Sequence, residues 1–325
     1  MHRLSIRVLD ALLLLWLVTT ITFALIHLAP GDPAALLISP TASATDAARQ
    51  RAAWGLDAPL PVQYGRWLSG VLRGDLGESL VRAQPVTTVI GEALPVSLFL
   101  GGVSLLASVV LGTALGALQA LRASRRTDTV VTMVSTALYA APSFWLALAM
   151  VTVFTSGVAW LGLPEWLRLP AFGMQDPAAD PTVIGWSDRW RHALLPLLVL
   201  SVPGAAGVAR YARRAIREAA TAPHARAALA RGLSRSAAER RHVLRNALTP
   251  LVVLVGLTLP GVIAGSVFVE QVFAWPGLGR TMLSAIAGRD YPVVLGLTLV
   301  YTGAVVSANL LADLVLLQLD PRRRA

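Results

Sequence analysis

The sequence contains no cysteine and no lysine, and each absence excludes a class of function. Without cysteine the chain has no disulfide framework and no thiolate metal site. Without lysine it cannot carry the standard phosphate-binding loop G-x-x-x-x-G-K-[ST], whose lysine reaches the bound phosphates. The chain therefore does not bind a nucleotide through such a loop, and all 28 of its basic residues are arginines.

Charged residues are also scarce. They make up 14% of the 325 residues, while 55% are hydrophobic. A soluble domain carries about 25% charged residues, so this composition favours a membrane protein.

Six segments are long and apolar enough to cross a bilayer, which takes roughly 20 mostly apolar residues per helix. They lie at about 8–29, 94–121, 129–161, 193–215, 248–272 and 293–318. The first apolar run is too long for a signal peptide, and no A-x-A-like cleavage site follows it. The sequence therefore predicts an all-α membrane protein with six transmembrane helices, the first of which is not cleaved.

The arginines are distributed unevenly between the two sides of this arrangement. Six spans place both termini on the same side as residues 122–128 and 210–247, and that side carries 18 of the 28 arginines. Positively charged residues accumulate on the cytoplasmic side of membrane proteins. We therefore predict that both termini, including a tail at 319–325, are cytoplasmic.

Residues 30–92 are too polar to span the bilayer and too apolar to form a disordered tail. Apolar and aromatic residues recur at near-helical spacing within them, which predicts an amphipathic helix around 60–73. We expect a folded external subdomain at 30–92, between an N-terminal helix at 1–29 and a five-helix core at 93–318. Its aromatic residues are expected to pack on the bundle or to lie at the lipid headgroups.

Common catalytic patterns are absent: the chain has neither H-E-x-x-H nor G-x-S-x-G, and its five histidines are scattered. We predict no catalytic, cofactor or metal site. Asp313 is a carboxylate well inside a predicted span, which makes it a possible intramembrane polar site. Because Asp313 is close to the cytoplasmic end of that span, a structural pairing with an arginine or a helix terminus is the alternative.

The basic loop before the fifth span, residues 216–247, predicts two short helices. Pro223 is tolerated in the first turn of a helix, and Gly232 is a good residue to end one. Ser236 and Glu239 have the S-x-x-E spacing of a capping box, which predicts the start of the second helix.

Small residues mark one face of the first of these helices, at about 224–233. Ala227 and Ala228 precede Gly232, and Leu233 lies just beyond it. A face with so little side chain can sit deep in a groove of another protein.

The arginines of this loop also suggest a nucleic-acid partner, but the loop contains no recognised nucleic-acid-binding pattern. Arginines beside membrane spans are already expected from the topology. We predict no nucleic-acid partner, and we expect the outer arginines to meet acidic groups of a protein or phosphates of membrane lipid.

Nine segments along the chain form a specific ordered set. They are PGDPAALL (30–37), WGLDAPLPVQY (54–64), LRGDLGESL (72–80), APSFWLAL (141–148), RAALARGLS (226–234), LRNALTPLV (244–252), VFVEQVFAWPGLGR (267–280), RDYPVV (289–294) and LDPRRR (319–324). With them the chain resembles, nearly end to end, the inner-membrane permease subunits of ABC importers, in the dipeptide/oligopeptide/nickel permease family.

The resemblance implies a MetI-like permease bundle of five core helices with an extra N-terminal helix. In this family the loop before the fifth span carries a coupling motif, often Glu-Ala-Ala with a glycine four residues later. The literal EAA at 218–220 lacks this glycine, whereas Ala227, Ala228 and Gly232 match it without the leading acid. The resemblance thus implies that Ala227, Ala228, Gly232 and Leu233 couple the chain to an ATPase.

The partners implied are a homologous second permease that completes a heterodimeric pore, two ABC ATPase subunits and an extracytoplasmic substrate-binding protein. The location implied is the bacterial inner membrane. Peptides are the expected substrates, with nickel, glutathione or oligosaccharides as alternatives within the family. Two other classes remain as rivals: an ion-driven secondary transporter, which usually has several intramembrane charges or two similar halves, and a membrane scaffold or receptor without transport activity.

Overall fold

The computed structural model describes residues 2–28, 43–122, 124–176, 186–259, 261–264 and 266–319. All regular secondary structure in these ranges is helical, apart from one isolated bridge between Glu78 and Pro85. The chain divides into two compact units, one of Met1–Val96 with Pro276–Val306 and one of Ser97–Trp275 with Ser307–Ala325.

The first unit contains the N-terminal helix and the described part of the segment predicted to be external. Its helices are α1 (His2–Leu28), α2 (Ala44–Ala53), α3 (Leu60–Leu72) and α14 (Leu278–Ala287), together with the first parts of α4 (Val86–Leu121) and α15 (Tyr291–Leu319). Helix α3 confirms the amphipathic helix predicted around 60–73. It packs on α1, where the hydroxyls of Thr20 and Tyr64 lie 2.7 Å apart and Phe23 meets the Tyr64 ring edge-on at 5.2 Å.

A buried acid joins two segments of this unit. The Asp290 carboxylate, 3% exposed, accepts hydrogen bonds from the Ser79 hydroxyl and from the backbone N–H groups of Leu80 and Val81, at 3.1 and 3.3 Å for the latter two. These hydrogen bonds are buried or partly buried, so leaving their donors unpaired would cost free energy. The carboxylate avoids this cost by accepting from all three. It thereby connects the sequence segments LRGDLGESL and RDYPVV.

The second unit is built around one long helix, α8 (Trp186–Thr221). The other elements of the unit are α5 (Arg125–Ala140), α6 (Ser143–Phe154), α7 (Ser156–Trp160), a 3-10 turn (Glu165–Leu167), α9 (Pro223–Ala230), α10 (Arg235–Ala238), a π-helical segment (Glu239–Leu244), α11 (Arg245–Thr258), α12 (Gly261–Ala264) and α13 (Val267–Val272).

Glycines on α4 allow this helix to approach α8 closely. A methyl group at Gly112 would lie 2.6 Å from the carbonyl oxygen of Ala205, and one at Gly116 would lie 2.6 Å from that of Ala209. Small residues at helix contacts are typical of packing within membranes, where dispersion forces and close backbone approach hold helices together.

Four helices in the described ranges are long and apolar enough to span a membrane: Leu9–Leu28, Val86–Leu121, Trp186–Thr221 and Tyr291–Ala312. Helices α5 and α6 qualify as a fifth span if counted together, although they are bent by 106° at Ala141-Pro142. The segment predicted as the fifth of six spans, 248–272, is divided into α11, α12 and α13. The protein is an all-α, multi-pass membrane protein, and the count of six helices stays a prediction.

Candidate functional site

The basic loop forms a compact helical structure at one end of α8. Helix α9 begins at Pro223, with Ala222 in extended conformation before it, as the sequence predicts. Proline is favourable there because its missing N–H has no partner in the first turn of a helix and its φ angle already suits the helix.

The end of α9 is a Schellman motif, in which a left-handed residue reverses the chain after the last turn. Gly232 has φ +86°, its N–H donates to the carbonyl of Leu229 at 2.9 Å, and the N–H of Leu233 donates to the carbonyl of Ala228 at 3.3 Å. These are the two hydrogen bonds that define the motif. The predicted stop at Gly232 is confirmed, and Leu233 closes the same turn.

The second helix begins two residues earlier than the capping box predicts. The hydroxyl of Ser234 accepts from the N–H of Ala237 at 3.4 Å, so Ser234 and not Ser236 caps α10. The predicted capping box is therefore wrong. Its acid, Glu239, lies in the π-helical segment and binds arginines.

One side of α9 is buried within the chain. Ala225 and Ala228 are 2% and 0% exposed. Ala225 belongs to a hydrophobic core with Ile216 of α8 and Val243 of the π-helical segment. Residues three apart share one face of a helix, so this face anchors α9 to the rest of the second unit.

The opposite side of α9 is exposed. Arg226, Ala227, Leu229 and Ala230 are all exposed, and Leu229 keeps 48% of its surface accessible. A Cβ at Gly232 would meet no atom within 4 Å. The four residues predicted from the sequence are therefore not on a single face: Ala227 and Gly232 are exposed, Leu233 is half-buried and Ala228 is fully buried.

Two acids, Asp128 and Glu239, connect segments of the second unit through ion pairs with arginines. Asp128 at the start of α5 accepts from Arg213, and from Arg217 at 3.0 Å, both on α8. Glu239 accepts from Arg122, which follows α4, at 3.2 Å and from Arg235 at 3.1 Å.

Asp128 thus joins α5 to α8, and Glu239 joins the residue after α4 to the loop that carries α9. By contrast, Glu218 of the literal EAA sequence pairs with Arg214 one turn away, at 2.8 Å, with both side chains exposed. It therefore connects no separate elements of the fold.

Asp313 lies in α15, but its side chain is outside the described part of the chain. Another acid, Glu270 of α13, is completely buried and accepts hydrogen bonds from the hydroxyls of Ser97 and Ser266, each at 2.6 Å. The sequence does not single it out, because it falls at the end of a predicted span and within the segment VFVEQVFAWPGLGR, which indicates the family but no role for this acid. No group of three or more His, Asp or Glu side chains that could hold a metal ion occurs among the residues the structure describes.

The fold and the loop define a class: a multi-pass helical membrane protein that carries a short helix, anchored on one face and exposed on the other, at one end of its bundle. Residues 112–325 match the family of inner membrane components of binding-protein-dependent transport systems, and residues 1–101 match the N-terminal region of such membrane components. The chain belongs to this family. It is a multi-pass bacterial inner-membrane permease subunit of ABC import systems, which use a substrate-binding protein and ATPase partners.

Curated relatives match over almost the whole chain. The oligopeptide transport system permease protein AppB of Bacillus subtilis is 34% identical over 94% of this chain and 93% of its own. The glutathione transport system permease protein GsiC of Salmonella typhimurium is 32% identical over 98% of this chain and 97% of its own.

One solved structure supports the fold. The crystal structure of an amino acid ABC transporter with histidines aligns with a TM-score of 0.51 at 16% identity, over 70% of this chain and 93% of that one. At this identity the likeness concerns the fold alone.

Proposed function

We propose that this chain forms half of the transmembrane pore of an ATP-driven peptide importer and that α9 is the helix on which an ATPase subunit docks. The observation that carries the proposal is the two-sided character of α9. Ala225 and Ala228 anchor it to the chain, whereas its outer side is exposed and carries only methyl groups at Ala227 and Ala230, beside Arg226 and Leu229.

Each of the predicted coupling residues has a distinct part in this proposal. Ala227 belongs to the docking surface, and the exposed Leu229 adds an apolar contact to it. Ala228 transmits movement, because a fully buried methyl group cannot shift without moving its neighbours in a close-packed interior. Gly232 and Leu233 fix where the helix ends, and so define the direction of the chain beside the docking surface.

Movement of α9 would reach the membrane-spanning helices through its packing on α8 and the π-helical segment. When ATP draws the partner ATPases together, α9 would move with them and change access to the pore. This requires the ATPases to contact α9 differently in the two states, since only differential contacts shift a conformational equilibrium.

The second half of the pore is proposed to be a homologous permease, with one ATPase on each half and an external binding protein that delivers substrate. Both termini and α9 are proposed to be cytoplasmic, because 18 of 28 arginines lie on that side of the predicted topology. The remaining proposed regions are the external subdomain at 30–92 and the permease core at 93–318, whose loop at 216–247 contains α9.

Peptides are proposed as substrates because AppB is named for oligopeptides and GsiC for glutathione, itself a small peptide. Transport of nickel, of glutathione or of an oligosaccharide is the alternative within the family.

The docking proposal is tested with two tryptophan substitutions in the complete importer. Both Ala227 and Ser236 are exposed, so neither Ala227→Trp nor Ser236→Trp disturbs the packing of this chain. We expect Ala227→Trp to reduce co-purification of the ATPase and ATP-driven peptide uptake in proteoliposomes, while Ser236→Trp leaves both near wild-type levels.

Normal ATPase binding and uptake by Ala227→Trp, with membrane insertion intact, would contradict docking on α9. Uptake that proceeds equally without ATP would instead favour an ion-driven secondary transporter. If the reconstituted chain and its partners showed no uptake at all, the scaffold alternative would be favoured.

A further inference from the structure

A cavity of about 410 Å³ lies in the second unit, between α4, α8, the end of α11, α12 and Ser266. This volume is within the range of roughly 300–1,000 Å³ that is usual for small-molecule sites. None of the described residues that line it carries a charge, and their polar side chains are those of Ser104, Ser108, Thr258 and Ser266.

Each of these four hydroxyl groups already donates its single proton within the chain. The acceptors are the backbone carbonyls of Leu100 for Ser104, Ser201 for Ser108 at 3.1 Å and Val255 for Thr258 at 2.9 Å, and the Glu270 carboxylate for Ser266 at 2.6 Å. A hydroxyl has one proton and two lone pairs. The side chains that line the cavity can therefore accept hydrogen bonds from an occupant but have no proton left to donate.

Glu270 does not line the cavity, but it strengthens the tendency of the lining hydroxyls to act as acceptors. Its buried carboxylate takes the proton of Ser266 and also that of Ser97. A carboxylate is the strongest acceptor among the protein side chains, so the Ser266 hydroxyl is held in the orientation that keeps its proton away from an occupant.

We infer that this cavity receives the amino end of a transported molecule, whose ammonium or amide N–H groups supply the missing donors, and that it discriminates against an anionic group at that end. An N–H group that leaves water for the cavity finds hydroxyl oxygens as acceptors. A carboxylate finds no donor among the lining side chains and no positive counter-charge, and a charge that gives up water without gaining a partner is strongly disfavoured. The inference rests on the proposed function, because it gives the cavity a place on the transport path.

The test measures ATP-driven uptake of three dipeptides, Lys-Ala, Gln-Ala and Glu-Ala, by the complete importer in proteoliposomes. Uptake is divided by the occupancy of the binding protein with each dipeptide, which removes the selectivity of that protein. We expect Glu-Ala to be translocated roughly tenfold or more slowly than Gln-Ala, and Lys-Ala about as fast as Gln-Ala.

Two variants of Thr258 extend the test: one adds a hydrogen-bond donor to the cavity, and the other adds a side chain of similar length without a donor. Thr258 is exposed in this chain, so it accommodates a longer side chain. Thr258→Lys should bring Glu-Ala to within about threefold of Gln-Ala, because the new ammonium pairs with the carboxylate. Thr258→Met, of similar length but uncharged, should preserve the discrimination.

ATP-driven uptake that does not depend on peptide charge, or discrimination that Thr258→Lys leaves unchanged, would overturn the inference while the proposed importer function stands. Lack of ATP-driven uptake for all three dipeptides would overturn the proposed peptide importer, and the inference with it.

Discussion

Gly232 offers a quantitative test of the end of α9. A side chain at this position would meet nothing within 4 Å, so a substitution adds no clash inside the chain and acts through backbone conformation. With φ at +86°, a β-branched residue is strained, at a cost of roughly 1–2 kcal/mol. Asn tolerates the left-handed region better, which makes Gly232→Asn the control for Gly232→Val.

Because about 1.4 kcal/mol corresponds to a factor of ten, Gly232→Val should lower the ratio of capped to uncapped α9 roughly tenfold. The apparent affinity for the ATPase should fall by up to the same factor, whereas Gly232→Asn should stay close to wild type. Titration of detergent-solubilised permease with ATPase measures this affinity, and the yield of inserted protein reports the fold. Affinities close to wild type for both Val and Asn would refute a conformational role of Gly232, and an equally strong loss in both would indicate that the ATPase contacts this position directly.

Two further substitutions test the packing of each unit. Gly101→Ala should prevent stable packing of the second unit, because its methyl group would overlap the backbone carbonyl oxygen of Val262. A methyl group at the adjacent Gly102 meets nothing within 4 Å, so Gly102→Ala should be neutral or stabilise α4 by up to about 1 kcal/mol. Thermal unfolding in detergent compares the two variants, and similar melting temperatures would contradict this account. Asp290→Ala should destabilise the first unit by at least about 2 kcal/mol, since a hydroxyl and two N–H groups lose their acceptor, and it should increase proteolysis near residues 79–85. Asp290→Asn keeps one acceptor oxygen and should lose less stability. Unchanged proteolysis in Asp290→Ala would show that water replaces the carboxylate.

Local signals in the sequence predicted the ends of α9 well. Proline at its start and glycine at its end act through their own backbone preferences, which do not depend on the rest of the fold. The amphipathic helix at 60–72 was predicted for a similar reason, since its periodicity is visible within its own residues. The sequence predicts a helix or its ends when the residues that determine them lie within a few positions of the structure that they form.

The sequence could not predict which side of α9 faces the chain. Ala227 and Ala228 are chemically identical neighbours, yet one is exposed and the other is 0% exposed. The difference is set by the packing of α9 on α8 and the π-helical segment. The cap of α10 illustrates a related limit: Ser234 and Ser236 are both good capping residues, and the turn at Gly232 brings Ser234 to the helix start first.

The arginines on the predicted cytoplasmic side also have a role that the topology alone does not predict. A count of arginines per side treats each one as an equivalent positive charge. Four of them, however, bind specific acids: Arg213 and Arg217 bind Asp128, and Arg122 and Arg235 bind Glu239. Arg122, Arg217 and Arg235 are exposed, and ion pairs with exposed arginines contribute at most about 1 kcal/mol each, so the importance of these three pairs is geometric more than energetic.

Each of these acids joins segments that are distant in sequence: Asp128 joins α5 to α8, and Glu239 joins Arg122 to the π-helical segment, and α9 packs on both α8 and the π-helical segment. A helix can transmit force from a partner only if its base resists separate movement. The arginines of the predicted cytoplasmic side therefore also hold together the elements on which α9 packs, which is the condition that the proposed coupling mechanism requires.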